Sequence, residues 1–169
     1  SGDTIAKWRA SKFPVDSSIT DTCCGIGGDS MNLGRLHTVF AYDIDRSAAK
    51  CAKHNCEVAN AKVRVQTADV TNQVIKSDFI FFDPSRRVNG KRVKRGEDYQ
   101  PPLEFISSAS SRCAGAAIKV SPGISDEELD ALNGSVEFVS VSGECKEAII
   151  WTGQLKSPHK RKATLLPSG

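Results

Sequence analysis

Short apolar runs that alternate with helical segments constrain the fold of this 169-residue chain more than any other feature. Apolar runs that favour strands lie at residues 18–24, 37–42, 63–67, 78–82 and 114–120. Helical patterns are predicted at residues 4–12, 29–36, 47–60, 101–111 and 125–132, with a short helix or turn near 71–75 and a loop over 85–100. Strands that alternate with helices are typical of a parallel, doubly wound α/β sheet with right-handed crossovers.

The end of the chain departs from this alternation. Two further strands are predicted at residues 136–141 and 147–151, and the few residues around Gly143 that join them are too short for a parallel crossover. We therefore expect a three-layer, mostly parallel sheet that finishes with an antiparallel hairpin. Residues 1–155 are predicted to form one domain. Residues 156–169 have no partner element in this scheme and are interpreted as a basic tail, or as a linker to a domain absent from this chain.

Composition and the cysteines indicate an ordinary globular domain, with 39% hydrophobic and 25% charged residues. No run of 18 apolar residues occurs, so no membrane span is expected, and no basic-then-apolar start indicates a secretory signal. The six cysteines lack paired C-x-x-C spacing, which predicts reduced, mostly buried thiols and a cytoplasmic protein. Only three histidines are present, and none has ligand spacing to a cysteine pair, so no metal site is expected.

Positive charge is concentrated in two segments. Residues 86–95 contain six cations and no acid, and residues 156–162 contain four cations. The whole chain has a net charge of +3, so without these ten cations the rest of the chain carries a net charge of −7. Such a concentration predicts a polyanionic partner such as RNA, although a pair of solvated loops is the alternative.

The first apolar run ends in the glycine-rich sequence DTCCGIGGD. In an open parallel sheet, ligands bind at the carboxyl ends of the strands. Glycines let the backbone turn tightly against a ligand, and the helix that follows offers free N–H groups to a carboxylate or phosphate. Position 30 is serine, so the G-x-G-x-x-G pattern of dinucleotide-binding folds is incomplete. The candidate cofactor-binding residues of this segment are Asp21, Cys23, Cys24, Gly25, Gly27 and Gly28.

The next two apolar runs also end in acidic residues. Asp43 lies 18 positions after Gly25, where a carboxylate accepts hydrogen bonds from ribose hydroxyls. Ile44 is predicted to cover an adenine ring or, alternatively, to belong to the core. Asp69, with Val70, is predicted to bind the adenine amino group, and the alternative is that Asp69 caps a helix.

The fourth run ends in Asp83-Pro84-Ser85-Arg86, the candidate catalytic segment. A carboxylate here can orient an incoming nucleophile and take its proton, and a strand-end cap is the structural alternative. Aromatic stacking on a base is expected from Phe82, Tyr99 or Phe105. The candidate substrate-binding residues are Arg86, Arg87, Lys91, Arg92, Lys94, Arg95 and Tyr99, of which the cations would contact phosphates.

With DTCCGIGGD, AYDIDRSAAKCAKHN, TADV and FFDPSRR, the chain resembles a bacterial family of class I S-adenosylmethionine-dependent methyltransferases whose core is followed by a THUMP-like domain. It is similar, more distantly, to the RNA cap guanine-N2 methyltransferase (trimethylguanosine synthase) group, which has a C-G-x-G-G turn. The resemblance implies a Rossmann-like fold and S-adenosylmethionine as cofactor. It also implies that Gly25, Gly27, Asp43, Asp69 and Asp83 form the cofactor pocket and transfer site. The serine and arginine after Asp83-Pro84 stand where the cap enzymes carry proline and tryptophan.

These observations predict an S-adenosylmethionine-dependent methyltransferase that acts on RNA, at a base nitrogen of rRNA or tRNA. A small-molecule methyltransferase of the same fold is the main alternative. A non-catalytic nucleic-acid-binding module is a weaker one, because it leaves the acidic strand ends without a role. An NAD(P) oxidoreductase fits Asp43 but lacks the third glycine of its motif.

Overall fold

The computed structural model describes residues 2–84, 87–88, 91–92, 99–123 and 125–167, and only the backbone of residues 87–88 and 91–92. The helices are α1 Asp3–Ala10, α2 Gly28–Leu33, α3 Arg46–Val58, α4 Leu103–Ser110 and α5 Asp126–Ala131. The strands are β1 Ser18–Asp21, β2 Thr38–Asp43, β3 Val63–Thr67, β4 Phe79–Phe82, β5 Arg87–Val88, β6 Lys91–Arg92, β7 Gly115–Val120, β8 Ser135–Val141, β9 Glu144–Trp151 and β10 Arg161–Leu166. The chain divides into two compact units, Ser1–Phe81 and Phe82–Gly169.

The first unit contains a parallel arrangement of strands in the order β4-β1-β2-β3. Ile19 of β1 and Val39 of β2 are fully buried, as expected for parallel strands covered on both faces. Because all four strands run in the same direction, the residues that follow β1, β2 and β3 emerge at one edge. That edge carries the glycine turn, Asp43 and Asp69.

The second unit contains strands in the order β10-β8-β9-β7. The predicted hairpin is confirmed, because β8 and β9 pair antiparallel across a turn in which Gly143 has a φ of +80°. Strand β9 also pairs antiparallel with β7, and all six residues of β7 are buried. The helix predicted after Ser125 is α5, and Ser125 and Glu128 form its capping box.

The prediction that residues 156–169 have no partner element is wrong. Residues Arg161–Leu166 form β10, which pairs parallel with β8 along its whole length. The side chains of Thr164 and Leu166 are buried, whereas Leu165 is 61% exposed. Alternate burial against β8 therefore stabilises this segment as a strand.

Three smaller expectations are also corrected. The helix expected over 29–36 is α2, Gly28–Leu33, which begins after Gly27 and ends three residues earlier than predicted, and the Asp29 carboxylate in its first turn pairs with Arg9. The loop expected over 85–100 contains the two-residue strands β5 and β6, which pair antiparallel. All six cysteines are free, as predicted, but only Cys24 and Cys56 are buried. Among the described residues, no helix combines the length and the apolar character needed to cross a membrane.

Candidate cofactor site and transfer residues

The turn after β1 requires glycine at two positions. Gly25 and Gly27 have φ values of +53° and +89°, in the left-handed region that side chains rarely adopt. A Cβ atom at Gly27 would lie 3.0 Å from the Cα atom of Ala52 in α3, whereas a Cβ atom at Gly28 would meet nothing within 4 Å. The turn is thus packed closely against α3 on one side and leaves space at Gly28, as a cradle for a ligand requires.

Asp43 joins this turn to the end of β2. Its Oδ2 atom accepts a hydrogen bond from the Gly25 amide at 2.7 Å, and its Oδ1 atom accepts one from the Asp45 amide at 2.9 Å. A carboxylate offers about four acceptor positions, so these two bonds leave capacity for ribose hydroxyls. Ile44 is 76% exposed, so the alternative that it belongs to the core is wrong.

Asp21 lies fully buried at the end of β1. Its Oδ2 atom accepts a hydrogen bond from the Ser30 hydroxyl at 2.5 Å, which ties β1 to α2. Burial, together with the nearby carboxylates of Asp21 and Asp43, raises the pKa of the Cys24 thiol well above its ordinary value. Cys24 therefore stays protonated, and the half-buried Cys23 precedes it in the same segment.

Arg9 is a contributor to this region that the sequence analysis missed. Its side chain is fully buried, forms an ion pair with Asp29 of α2, and lies over the Phe81 ring, with its guanidinium carbon 4.9 Å from the ring centroid. Because a buried guanidinium requires a partner, this pair fixes α1 against the helix that follows the glycine turn. Its burial could have been predicted from its place in the helix, because Arg9 lies next to Ala10 on the face of α1 that buries Ile5 and Ala6.

Asp69 caps the short 3₁₀ helix Val70–Asn72, as the structural alternative predicted. Its Oδ1 atom accepts hydrogen bonds from the Thr71 amide at 2.9 Å and from the Thr71 hydroxyl at 2.7 Å. Val70 is buried, whereas Asp69 is exposed at the edge that carries Asp43. Capping through one oxygen is compatible with a contact to adenine.

Asp83 follows β4 and is part of an ionic cluster. Its Oδ2 atom lies 2.7 Å from the Nζ atom of Lys119 in β7, and Lys119 Nζ lies 4.0 Å from Glu147 Oε2 in β9. Pro84 is buried beside it. Sequence reasoning did not single out Lys119, although it is the one charged residue in the apolar run AGAAIKV.

The structure describes the candidate substrate residues only in part. Ser85, Arg86, Lys94 and Arg95 lie outside the described residues. Arg87, Lys91 and Arg92 are described by their backbone alone, in β5 and β6. Tyr99 is 5% exposed, and its hydroxyl accepts a hydrogen bond from the Ser121 amide at 3.4 Å. Because Phe82 is also buried, the half-buried Phe105 is the most accessible of the three stacking candidates.

Acids and an amide of the same unit contact the cations of the second basic segment, residues 156–162. The contacts are Lys160 with Asp130 at 2.8 Å, Arg161 with Asp126, Lys162 with Glu137 at 3.1 Å, and Lys156 with Asn133 at 2.9 Å. The hydrogen bond with Asp130 raises the pKa of Lys160. This segment is therefore partly neutralised within the chain.

Among the described residues no group of three or more His, Cys, Asp or Glu side chains is arranged to hold a metal ion.

Residues 16–100, half of the chain, match the family described as RNA cap guanine-N2 methyltransferase. The matched region includes the glycine turn, Asp43, Asp69 and Asp83. The chain belongs to this family.

Proteins similar to the chain agree with that assignment. An uncharacterized S-adenosylmethionine-dependent methyltransferase of Mycobacterium tuberculosis is 31% identical in an alignment that covers 98% of this chain and 47% of the relative. The chain thus spans about half the length of the curated relatives that it matches.

Solved structures share the fold. A "putative methyltransferase" from Porphyromonas gingivalis W83 has a TM-score of 0.75 at 20% identity, over 93% of this chain and 41% of that one. The M. jannaschii tRNA m1G37 methyltransferase has a TM-score of 0.63 at 14% identity, over 87% of this chain and 46% of that one.

The predicted fold class is therefore confirmed: an α/β, Rossmann-like methyltransferase fold, mostly parallel, with antiparallel strands near its end. The family and the curated relatives identify an S-adenosylmethionine-dependent methyltransferase domain, so the predicted cofactor is confirmed as well. The cradle at Gly28 and the Asp43 carboxylate fit that cofactor. A THUMP-like domain that follows this core stays a prediction.

Proposed function

We propose that the protein to which this chain belongs transfers the methyl group of S-adenosylmethionine to a base nitrogen of rRNA or tRNA. The observation that carries the proposal is the 2.7 Å hydrogen bond between the Gly25 amide and Asp43, which holds the glycine turn and the carboxylate proposed to bind ribose in one arrangement. Asp43 and Asp69 would bind the adenosine portion. The Gly25–Gly28 turn, held in place by Asp21, would bind the methionine portion.

When bound, S-adenosylmethionine supplies an electrophilic methyl group, whose bond to sulfur breaks, leaving the electron pair on sulfur, as the new carbon–nitrogen bond forms. The chain's own task is mainly to position the nucleophile. Asp83 accepts a hydrogen bond from an N–H group of the acceptor base and thereby aims the nitrogen lone pair. It then takes up the proton that the nitrogen loses. Holding two reactants in line lowers a barrier by several kcal/mol.

Two observations support RNA as the acceptor. The family that matches the chain is described by an RNA substrate, the guanine of an RNA cap. The segment 86–95 begins two residues after Pro84 and carries six cations without an acid, which suits contacts with phosphates. Ser85 and Arg86, close to Asp83, stand where the cap enzymes carry proline and tryptophan. We therefore propose a base nitrogen of rRNA or tRNA, rather than an RNA cap, as the target.

Calorimetric titration tests the cofactor half of the proposal. S-Adenosylmethionine and S-adenosylhomocysteine should bind to the wild type with micromolar affinity, and NAD should not bind. Asp43→Ala should weaken binding by roughly 10-fold or more, because hydrogen bonds to a charged group contribute about 1.5–3 kcal/mol. Asp45→Asn is the matched control, since Asp45 is exposed and asparagine also caps a helix. Binding of NAD alone, or unchanged affinity in Asp43→Ala, contradicts the proposal.

Methyl transfer from radiolabelled S-adenosylmethionine tests the acceptor. The substrates are tRNA, rRNA and a small-metabolite fraction, all prepared from cells that lack the protein. Label should appear in modified bases after nuclease digestion of one RNA fraction. Label confined to the metabolite fraction would establish the small-molecule alternative instead. A protein that binds the cofactor and RNA but transfers no label would be a non-catalytic nucleic-acid-binding module.

A further inference from the structure

Lys119 is a buried charge in an otherwise apolar strand. All six residues of β7 are buried, and Lys119 itself is only 8% exposed. An ammonium group taken out of water is costly unless it is paired and hydrogen-bonded. Among the described residues, the Asp83 carboxylate lies at hydrogen-bond distance, 2.7 Å from Nζ to Oδ2.

Burial is graded along this cluster. The side chain of Asp83 is 30% exposed, that of Lys119 is 10% exposed, and that of Glu147 is 4% exposed. Asp83 therefore forms the accessible end, and the lysine contacts it from the buried side through one carboxylate oxygen. Glu147 lies behind the lysine, with its Oε2 atom 4.0 Å from Nζ.

This arrangement serves orientation better than it serves stability. Apolar side chains of similar volume usually replace a buried ion pair without loss of stability. A donor fixed on the buried side of a partly exposed carboxylate, however, sets the direction in which its other oxygen faces, and no apolar residue can do so. A flexible carboxylate would hold an acceptor N–H group poorly, and small misplacements of a reacting group are costly.

We propose that Lys119 is a positioning residue for methyl transfer. Its ammonium group, which also lies near Glu147, fixes the orientation of the Asp83 carboxylate. The carboxylate can then accept a hydrogen bond from the N–H group of the acceptor. The inference rests on the proposed function, because Asp83 touches the acceptor in that mechanism. Lys119 itself acts only through Asp83.

The test uses variants that separate orientation from folding. Lys119→Met alone removes a cation that lies 4.0 Å from the buried Glu147 carboxylate, so the informative variant is Lys119→Met combined with Glu147→Gln. Lys119→Arg keeps the positive charge. Lys146→Met is the matched control, because Lys146 is a largely exposed lysine of β9 that pairs with Glu144. Thermal unfolding, S-adenosylmethionine affinity, kcat and KM are measured for each variant.

We expect the folded double variant to bind S-adenosylmethionine within about threefold of the wild type, while its kcat for RNA falls roughly 10- to 100-fold, the range of a misplaced catalytic group. Lys119→Arg should recover part of kcat, and Lys146→Met should match the wild type. Unchanged kcat in the folded double variant, or a parallel loss of cofactor affinity, overturns the proposal.

A second measurement does not depend on turnover. In protein labelled with ¹⁵N at lysine, the buried Lys119 ammonium should give an exchange-protected NMR signal that Asp83→Asn shifts. A signal that does not respond to Asp83→Asn contradicts the ion pair and overturns the proposal. A responsive signal in a wild type that binds cofactor but methylates no RNA contradicts the proposed function instead, so the two failures are distinguishable.

Discussion

At the scale of single residues, the two glycines of the turn are not equivalent. Gly27→Ala should lower the free energy of unfolding by about 1–3 kcal/mol, because alanine is strained at a φ of +89° and its Cβ would press on Ala52. Gly28→Ala is the matched control: space is open there, and alanine is up to about 1 kcal/mol better than glycine in a helix. Urea unfolding of both variants checks this, and equal destabilisation would contradict the geometry of the turn.

Burial divides the six cysteines into reactive and protected groups. Burial and nearby carboxylates raise the pKa of the Cys24 thiol, and burial raises that of Cys56 to about 11. Since the thiolate is the nucleophile, both should resist iodoacetamide at pH 8, whereas the exposed Cys51 and Cys145 should be alkylated first. Peptide mapping by mass spectrometry gives the order, and early labelling of Cys24 would show that the turn opens in solution.

The acidic residues of the candidate site were predictable because each lies at or near the end of an apolar stretch. Chain position alone placed Asp21, Asp43 and Asp83 at the ends of strands, as observed, whereas their roles in binding and transfer stay predictions. The buried cations Arg9 and Lys119 were not identified, because their partners lie 20 and 36 positions away in the sequence and only the fold brings them together. The role of stacking residue given to Tyr99 ignored its burial, which likewise depends on tertiary packing.

At the scale of elements, local signals located most of the strands and helices. The bounds of β3 were predicted as observed, and the Ser125 capping box marked α5. Strand β10 was not predicted, because its sequence begins with basic residues and only Thr164 and Leu166 are buried. Its assignment depends on a parallel neighbour, β8, that local periodicity does not reveal.

Glu137 of β8 is the residue that secures β10. This 4% exposed carboxylate accepts hydrogen bonds from the Trp151 indole at 3.0 Å and from the Thr164 hydroxyl. Glu137→Ala should cost about 1–3 kcal/mol for each buried group left without its partner. Glu144→Ala, in the exposed part of the same hairpin, should leave stability nearly unchanged. Denaturant titration followed by tryptophan fluorescence compares the two, and a small effect of Glu137→Ala would contradict its role.

At the scale of the whole molecule, positive charge lies in two segments, and the structure describes side-chain contacts for the cations of one of them, residues 156–162. Cations at 156–162 pair with acids of α5 and β8, whereas residues 86–95 contain no acid. Composition treats the two segments as equivalent sources of positive charge. The structure shows that the segment 156–162 is partly neutralised, and the sequence of the segment 86–95 contains no acid, so we expect RNA affinity to depend mainly on 86–95.

Removing the same amount of positive charge from each basic segment in turn tests which of the two binds RNA. Replacing Arg87, Lys91 and Arg92 by serine should weaken RNA binding and reduce the slope of log K against log salt by about 0.7 for each phosphate of a single strand that is no longer neutralised. Replacing Lys156, Lys160 and Arg161 by serine removes the same charge but should leave the slope nearly unchanged, because these cations already contact groups of the chain. Filter binding of RNA over a range of salt concentrations measures both slopes. Equal weakening in the two triple variants would mean that net charge alone governs binding and that the 86–95 segment does not bind the RNA directly.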